Sequence, residues 1–228
     1  GGGYCGYDNI GFLPSCFERA LTDSGSSRFK GENGSEYQTK FSWGYFSSNY
    51  SLNPILSNWN KVYLSYCDGT LFQGYREEPI EFNGSQLYFR GYNNTITTLK
   101  FLKENLGLFD AKEVIVNGAS SGGQAVLFWM NYFRKFLPKR VKLKGISDGG
   151  LFLDIINQNG NCHLFRKHML SIANYTNSMD LSVFEDCEFK NNNEEFYRCM
   201  VSEYVIKNIK SEMFIINSQN DSEKNHIQ

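Results

Sequence analysis

The sequence predicts an α/β protein with a mostly parallel central sheet, flanking helices and a cap-like insertion. Short apolar runs alternate along the chain with segments of helical periodicity, which is the pattern of parallel strands joined by crossover helices. A glycine-rich motif at residues 118–123 lies between one apolar run and a long helical segment. The chain has 228 residues, which is enough to bury one sizeable core.

The N-terminal part combines irregular segments with one predicted strand. We expect loops and short turns over residues 1–50, because Gly, Ser, Asn and aromatic residues occur there without sustained periodicity. Residues 60–66 alternate polar and apolar side chains, which predicts a half-buried strand. We expect this strand to end at Cys67-Asp68-Gly69, a typical turn sequence.

Two helices and a strand are predicted in the middle of the chain. Residues 95–106 carry apolar side chains at helical spacing, and Gly107 is a typical stop. Residues 113–117 contain the run Val-Ile-Val, which predicts a buried strand. Residues 123–137 predict a long amphipathic helix that is stopped by Pro138. Its inward side chains are predicted to be Val126, Leu127, Met130, Phe133 and Leu137.

Two further strands enclose a long region of different character. Residues 141–147 alternate in polarity and end at Asp148-Gly149-Gly150, and residues 213–217 form another buried apolar run. The residues between them, about 151–211, are helical or irregular and rich in Asn, Glu and Cys, which predicts the cap-like insertion. We expect one domain over residues 1–228.

Ser120 lies at the sharp turn between the strand at 113–117 and the helix at 123–137. Gly-x-Ser-x-Gly is a common string, so its value depends on this strand–turn–helix context. The flanking glycines allow the strained turn that exposes a serine hydroxyl, and the free N–H groups of the helix face the same point. The motif therefore predicts the nucleophile of a serine ester hydrolase with an α/β-hydrolase type of fold. A phosphate-binding loop is the alternative, but no lysine follows the glycines as in a P-loop.

A second glycine-rich loop, Gly1-Gly2-Gly3-Tyr4, stands at the start of the chain. In α/β-hydrolases a glycine-rich loop earlier in the chain supplies one donor of the oxyanion hole. Glycines suit this role because their amides can approach a substrate carbonyl closely. Taken alone, the three glycines would by default be interpreted as a cloning remnant.

Composition argues against several classes of function. The net charge is −1 and Lys and Arg are scattered, so the chain shows no basic surface for nucleic acid. No apolar run approaches the roughly 20 residues that span a bilayer. The cysteines form no CxxC pair of a zinc ribbon or thioredoxin-like motif, and nothing in the sequence indicates a metal or an organic cofactor.

Cysteines and glycosylation sequons together favour a secreted or lumenal protein. The cysteines are Cys5, Cys16, Cys67, Cys162, Cys187 and Cys199. The Asn-x-Ser/Thr sequons begin at Asn33, Asn49, Asn83, Asn93, Asn174 and Asn220. With these sequons, disulfides are favoured over the buried free thiols of a cytosolic protein. Local pairs such as Cys5–Cys16 and Cys187–Cys199 are plausible, but connectivity does not follow from sequence.

Short motifs of recognisable order extend along nearly the whole chain. They are Gly1-Gly2-Gly3-Tyr4-Cys5, Gly25-Ser26-Ser27, Asn53-Pro54, Asn58-Trp59-Asn60-Lys61-Val62-Tyr63, Tyr66-Cys67-Asp68-Gly69, Phe89-Arg90-Gly91, Gly118–Gly123, Asp148–Asp154 and Ile216-Asn217 through Asp221-Ser222. This set resembles the pectin acetylesterase/Notum family. Plant members have Trp at the position of Tyr4 and usually Ala at that of Ser121, and both changes preserve the backbone donor.

The resemblance implies a Ser–Asp–His hydrolase that removes acyl groups from esters. Ser120 would attack the ester carbonyl. The amides of Gly2 or Gly3 and of Ser121 would hold the tetrahedral oxyanion. Asp221, just after the last predicted strand, matches the family's catalytic acid, which orients the histidine.

Asp148 is a rival for the role of the acid, because it also ends a predicted strand near Ser120. The favoured interpretation of Asp148 is structural, as a carboxylate that bonds backbone amides in a tight Asp-Gly-Gly turn. The order Ser120, then Asp221, then a histidine is also the order expected of an α/β-hydrolase.

None of the three histidines matches the base that the resemblance implies. The family's catalytic histidine lies well downstream of its acid, whereas His226 follows Asp221 too closely and is expected at the surface. His163 and His168 fall in the predicted cap, where we expect structural or solvent-facing roles. We therefore expect the base beyond Gln228 and slow ester hydrolysis by residues 1–228 alone. The chain does not begin with Met, and it ends directly after a strand-like segment and a turn. We therefore expect it to be incomplete at both ends, with a signal peptide upstream.

The sequence therefore predicts a carboxylic ester hydrolase that acts without a cofactor on acylated substrates. The simplest substrate is an O-acetylated polysaccharide such as pectin. Notum, in the same family, removes a fatty acyl group from a signalling protein, so Notum-like deacylation of a lipidated protein is one alternative. The other is a catalytically silent relative that binds glycan.

Overall fold

The computed structural model describes residues 2–6, 11–22, 24–25, 44–156 and 163–219. Their α-helices are α1 (Phe12–Ala20), α2 (Gly91–Asn105), α3 (Ser121–Phe136), α4 (Leu164–Thr176) and α5 (Ser202–Val205). Their strands are β1 (Ile80–Phe82), β2 (Ser85–Leu87), β3 (Glu113–Ala119), β4 (Lys142–Asp148) and β5 (Glu212–Ile216). Single 3-10 turns occur at Gly44–Phe46, Leu108–Asp110, Ser182–Phe184, Phe196–Cys199 and Ile206–Asn208.

Strands β3, β4 and β5 form a parallel sheet in that order, as predicted. At the carboxyl ends of the strands, Ala119 pairs with Asp148 and Asp148 pairs with Ile216. The loops that follow these three residues therefore meet at one edge of the sheet, where open α/β sheets bind their ligands. Strands β1 and β2 form a separate antiparallel hairpin.

The ends of α2 and α3 have identifiable causes. Helix α2 begins earlier than predicted, at Gly91, whose N–H donates to the Asp68 carboxylate over 2.7 Å. After α2, Gly107 adopts the left-handed conformation (φ 67°), which confirms it as the stop. Pro138 keeps Leu137 extended (φ −79°, ψ 145°), so α3 ends at Phe136.

Helix α3 packs against β3 and β4 and connects two apolar clusters. The residues predicted to face inward are buried at Val126, Leu127, Met130 and Leu137 and partly buried at Phe133. A smaller cluster between α3 and the sheet includes Val126, Met130, Leu137, Val141 and Leu143. The larger cluster lies on the other side of α3 and contains buried side chains of α1 and α4.

The prediction of a strand at residues 60–66 is wrong, because these residues form no regular secondary structure. These residues pair with no other strand among the residues that the structure describes. Val62 and Tyr63 are adjacent and both exposed, at 46% and 44%, so alternating polarity does not become alternating burial. A strand also needs a neighbour for its hydrogen bonds, and a local pattern contains no information about that neighbour.

Helix α1 lies where the sequence predicts only loops and turns. Pro14 fits its first turn, where a missing N–H costs no helical hydrogen bond. The helix has only 9 residues, too few to be stable alone. Tertiary contacts hold it: Cys16 is bonded to Cys5, and the ring of Phe12 stacks on Tyr175 at 4.6 Å.

The outer strands are less buried than predicted. Their apolar runs at residues 113–117 and 213–217 predict strands covered on both faces, but β3 and β5 are only partly buried. Phe214 is 65% exposed. Among the described residues, β3 and β5 are edge strands and α3 covers one face of the sheet, which explains the difference.

Between β4 and β5, the described residues form helices and turns, as predicted for residues 151–211. Helix α4 is embedded through Phe165, Met169 and Ile172, which belong to the same cluster as buried residues of α1 and α3. A function of this region as a cap stays a prediction.

The two local disulfides that the sequence made plausible are confirmed, Cys5–Cys16 and Cys187–Cys199. Cys67 is a free thiol among the described residues, and Cys162 lies outside them.

Candidate active site

Ser120 connects the end of β3 to the start of α3 in a strained backbone conformation. Its φ and ψ are 55° and −125°, which a residue with a side chain rarely adopts. Its N–H donates to the carbonyl of Asp148 over 2.7 Å, and its own carbonyl accepts from the N–H of Gln124 over 3.0 Å. The turn is thus held by both β4 and α3, and the serine side chain is only partly buried. This is the geometry of a nucleophile elbow.

Three glycines let the first turn of α3 approach the ends of β3 and β4. A Cβ on Gly118 would lie 2.3 Å from the carbonyl oxygen of Gly122. A Cβ on Gly123 would lie 2.9 Å from the carbonyl oxygen of Asp148, and one on Gly150 would lie 2.3 Å from the carbonyl carbon of Gly123. Any side chain at these positions would push the helix away from the turn.

The N-terminal glycine loop lies directly against the Ser120 hydroxyl. A Cβ on Gly2 would lie 3.5 Å from Ser120 Oγ, so the Gly2 backbone faces the hydroxyl with no side chain between them. Gly3 has a φ of 74°, which L-residues with side chains rarely adopt. Tyr4, the next residue, is 4% exposed and belongs to the core rather than to an open pocket. Gly1 lies outside the described residues.

Ser121 is the first residue of α3 and is 1% exposed. The N–H groups in the first turn of a helix have no intrahelical acceptor, and they carry the positive end of the helix dipole. The Ser121 side chain lies beside the phenol of Tyr66 without forming a well-aligned hydrogen bond. The predicted nucleophile, Ser120, and the residues predicted to supply the oxyanion donors, Gly2, Gly3 and Ser121, therefore lie next to one another.

Tyr66, which is buried, and Asp68, which is partly buried, form a polar layer beside this group of residues. The Tyr66 hydroxyl accepts from the N–H of Leu71 over 3.1 Å. Burial, followed by the negative charge of Asp68, raises the pKa of Tyr66, so the phenol stays protonated at neutral pH. Burial also raises the pKa of Asp68, against the effect of hydrogen bonds from Thr70 and Gly91.

Of the two candidate acids, Asp148 lies among the described residues and Asp221 does not. Asp148 ends β4 next to Ser120, but it holds the elbow through its backbone carbonyl. Within the described residues its carboxylate accepts no hydrogen bond from the Asp-Gly-Gly turn, so the structural role expected of that side chain is not seen. Asp221 lies outside the described residues, which follow the chain past Ile216, the end of β5, as far as residue 219.

His163, which immediately precedes α4, and His168, within α4, both have structural partners, as expected. His163 Nδ1 is 3.0 Å from a carboxylate oxygen of Asp154, and the same carboxylate accepts two hydrogen bonds from Arg166. His168 packs edge-on against Tyr4, with its Nδ1 3.4 Å from the phenol oxygen. His226 lies outside the described residues.

Comparison with known proteins gives the family. The sequence profile of the family described as Pectinacetylesterase matches residues 1–228. The chain belongs to the pectinacetylesterase family. Pectin acetylesterase 5 of Arabidopsis thaliana is 36% identical over 97% of this chain and 48% of its own length. Pectin acetylesterase 4 of the same plant is 34% identical over 92% of this chain and 48% of its own length.

Notum proteins are similar as well. The palmitoleoyl-protein carboxylesterase NOTUM of Schmidtea mediterranea is 29% identical over 77% of this chain and 34% of its own length. A crystal structure of the Wnt deacylase Notum from Drosophila superposes with a TM-score of 0.79 at 22% identity, over 100% of this chain and 63% of that one. This likeness confirms the α/β-hydrolase type of fold for this pectinacetylesterase family member. The chain spans about half the length of the plant relatives that it matches.

No metal or membrane-spanning feature accompanies this site in the described part of the chain. There, no three His, Cys, Asp or Glu side chains come together as a metal site requires. None of the helices in these residues has the length and apolar character of a bilayer-crossing segment.

The sequence did not reveal the polar layer that supports the glycine loop. Tyr66 and Asp68 stand in one of the motifs shared with the pectinacetylesterase family, but their spacing indicates only a turn. Arg19, whose side chain reaches Gly2, belongs to no motif at all. The one available signal was a charged residue one turn beyond Cys16, on the buried face of α1.

Proposed function

We propose that this protein is a serine carboxylesterase whose nucleophile is Ser120. The observation that carries the proposal is the elbow itself: a serine at φ 55° between β3 and α3, with the Gly2 backbone against its hydroxyl. A strained serine conformation is costly and is typical of active sites. The parallel sheet places the elbow at the carboxyl edge, where ligands bind.

In the proposed reaction, Ser120 Oγ attacks the carbonyl carbon of the ester while a general base takes its proton. The negative charge develops on the carbonyl oxygen, and the N–H groups of Gly2 or Gly3 and of Ser121 stabilise it. The alcohol leaves with a proton and an acyl-serine remains. A water molecule then attacks the acyl group by the same route, which releases the carboxylic acid and restores Ser120.

We propose Asp221 as the acid that orients the catalytic histidine. Strand β5 lies beside β4, which lies beside β3, so the carboxyl end of β5 is at the edge that carries Ser120. Asp221 follows that strand in the sequence. We assign the histidine to none of His163, His168 and His226. His163 and His168 precede Asp221 in the chain, whereas an α/β-hydrolase has its histidine after the acid, and His226 follows Asp221 too closely.

We propose O-acetyl groups on a polysaccharide such as pectin as the substrate. The support is that the two plant relatives, at 36% and 34% identity, are named pectin acetylesterases. Relatives named palmitoleoyl-protein carboxylesterases are similar at 29% identity over a smaller share of the chain, so a fatty acyl substrate is the competing outcome.

We propose that the protein is secreted or lumenal. The two disulfides support this, because such bonds persist in oxidising compartments. Three of the sequon asparagines, Asn49, Asn83 and Asn174, are exposed and accessible to a glycan.

A tagged fluorophosphonate tests the esterase proposal directly. This reagent phosphonylates an activated serine, so the full-length protein is expected to take up one label per molecule. Digestion and mass spectrometry should place the label on Ser120. Ser120→Ala should abolish labelling, whereas Ser211→Ala, a serine at the opposite end of the strands, should leave it unchanged. A full-length protein that takes up no label would refute the esterase proposal and favour a silent glycan binder.

The same preparation distinguishes the acyl group. Acetate release from O-acetylated pectin is expected to exceed, per active site, the release of fatty acid from a palmitoleoylated peptide. The reverse preference would replace the acetylesterase proposal with a Notum-like deacylase.

Asp221→Asn in the full-length protein is expected to lower kcat by about 10³- to 10⁴-fold, because an amide no longer stabilises the imidazolium form of the base. Asp148→Asn should lower kcat by less than about tenfold, because the backbone carbonyl, not the carboxylate, holds Ser120. Steady-state kinetics of the two variants against p-nitrophenyl acetate give the comparison. If the larger loss occurs at Asp148, then Asp148 is the acid and the assignment of Asp221 is wrong.

A further inference from the structure

Arg19 connects helix α1 to the glycine loop. It lies one turn after Cys16 on the same side of α1, and its Nη1 donates to the carbonyl oxygen of Gly2 over 3.1 Å. We propose that Arg19 is a positioning residue that orients the Gly2–Gly3 peptide for oxyanion binding. The inference rests on the proposed esterase function and adds a residue that neither the motif nor the family match identifies.

Peptide geometry explains why a bond to a carbonyl can orient an amide. The peptide unit between Gly2 and Gly3 is planar and trans, so the Gly3 N–H points away from the Gly2 carbonyl. When Arg19 holds that carbonyl, the direction of the Gly3 N–H is determined as well. Two successive glycines otherwise have the widest backbone freedom of any pair of residues, so the loop needs an external constraint.

The guanidinium of Arg19 is itself held on several sides. Its Cζ lies 4.8 Å from the centre of the Tyr66 ring, which is cation–π distance. Gly69 packs against its aliphatic part, where a Cβ would lie 2.9 Å from Arg19 Cδ. The disulfide between Cys5 and Cys16 further connects the loop to the helix that carries Arg19. The carbonyl of Gly2 therefore meets a donor with a defined position.

The remaining donors of Arg19 favour a functional role over a purely structural one. Nε and Nη2 are buried and have no hydrogen-bond partner within the described residues. Unsatisfied buried donors are costly, and an apolar residue would pack there at lower cost. Such costs are expected where a side chain serves the active site rather than stability.

Tyr66 connects Arg19 to the second proposed donor. One face of the phenol receives the guanidinium, and the Ser121 side chain lies beside the same residue. The Arg19–Tyr66 pair thus touches both the Gly2–Gly3 peptide and the first residue of α3. We infer that this pair helps to fix the position of the Gly2–Gly3 peptide relative to the start of α3.

Arg19→Met in the full-length protein tests this role. We expect kcat for p-nitrophenyl acetate to fall by about 10- to 100-fold, because a donor displaced by a fraction of an ångström stabilises the transition state less. We expect KM to change by less than about twofold, since the oxyanion exists only in the transition state. Arg19→Lys retains a donor near the Gly2 carbonyl and should recover part of the loss.

Arg140→Met is the matched control. Arg140 Nη2 also donates to a backbone carbonyl, that of Phe109, over 2.7 Å, but it does so at the opposite end of the sheet from Ser120. Both variants lose a hydrogen bond from a guanidinium to a backbone carbonyl, and Arg140→Met also loses an exposed ion pair with Asp110 at 3.6 Å. We expect the kinetics of Arg140→Met to equal those of the unaltered protein.

Active-site titration separates positioning from loss of folded protein. With excess fluorophosphonate, Arg19→Met should reach the same final number of labelled Ser120 residues per molecule, but at a lower rate. The inhibition constant of an aryl trifluoromethyl ketone, which forms an oxyanion on the serine, should rise by the same factor by which kcat/KM falls.

Two results would overturn the inference. One is kinetics of Arg19→Met equal to those of Arg140→Met. The other is a loss of rate that is fully explained by fewer labelled sites, with an unchanged inhibition constant for the sites that remain. If the unaltered protein neither reacts with the probe nor hydrolyses the ester, the proposed esterase function fails first, and the role of Arg19 fails with it.

Discussion

Ser120→Ala is expected to lower kcat for p-nitrophenyl acetate and for acetylated pectin by about 10⁴-fold or more. In the proposed reaction the hydroxyl oxygen forms the acyl intermediate, and alanine removes that oxygen. Any residual rate would come from the glycine-loop and helix amides acting on a bound ester. The kinetic constants of the full-length variant provide the measurement, with initial rates followed at substrate concentrations around KM.

The fold should survive this change. Alanine has nearly the same backbone preferences as serine, so the strain at φ 55° remains and the free energy of unfolding should change by less than about 1 kcal/mol. Ser211→Ala is the control, because Ser211 precedes β5 at the far end of the sheet. A Ser120→Ala variant that keeps a tenth or more of the original kcat would show that another residue is the nucleophile.

Gly150→Ala is expected to destabilise the protein by about 3 kcal/mol or more, and to lower activity with it. The added Cβ would lie 2.3 Å from the carbonyl carbon of Gly123 and 2.4 Å from the amide nitrogen of Gln124. Both atoms are backbone in the first turn of α3, so no side chain can rotate away. Relief requires α3 to move away from β4, which stretches the 2.7 Å bond between the Ser120 N–H and the Asp148 carbonyl.

Gly122→Ala is the matched control for stability, since it adds the same methyl group to a glycine of the same turn. No atom lies within 4 Å of its added Cβ, and Gly122 is inside α3, where alanine is favoured over glycine by up to about 1 kcal/mol. We therefore expect urea unfolding to show an equal or slightly higher free energy for Gly122→Ala. Equal values for the Gly150 and Gly122 variants would mean that the contact between α3 and the loop after β4 is looser than the structure shows.

Predictions that depended on neighbouring residues agree with the structure. The parallel strands and α3 follow from apolar runs, a helical period, glycines and Pro138, all of which act within a few residues. The elbow at Ser120 is of this kind, because the strand, the turn and the helix are consecutive. The disulfide between Cys187 and Cys199 could also be anticipated from the sequence, since it closes a short loop.

Predictions that depended on a distant partner were wrong or missing. Residues 60–66 have the alternation of a strand, but among the described residues no strand lies next to them. Helix α1 has weak local signals, and the ring of Phe12 stacks on Tyr175, a residue far from it in sequence. The hydrogen bond from Arg19 to the Gly2 carbonyl joins residues 17 positions apart, and no periodic pattern in the sequence indicates it.

The sequence by itself determined the parallel α/β core, the family and the place of Ser120, because apolar period, glycine freedom and motif order are properties of contiguous residues. Only the tertiary structure decided that Gly2 faces the Ser120 hydroxyl and that Asp148 holds the elbow through its backbone. It also decided that Arg19 donates to the Gly2 carbonyl and lies over the Tyr66 ring. These contacts join segments brought together by burial of a common core. Their geometry depends on how the whole chain packs, and no local pattern encodes it.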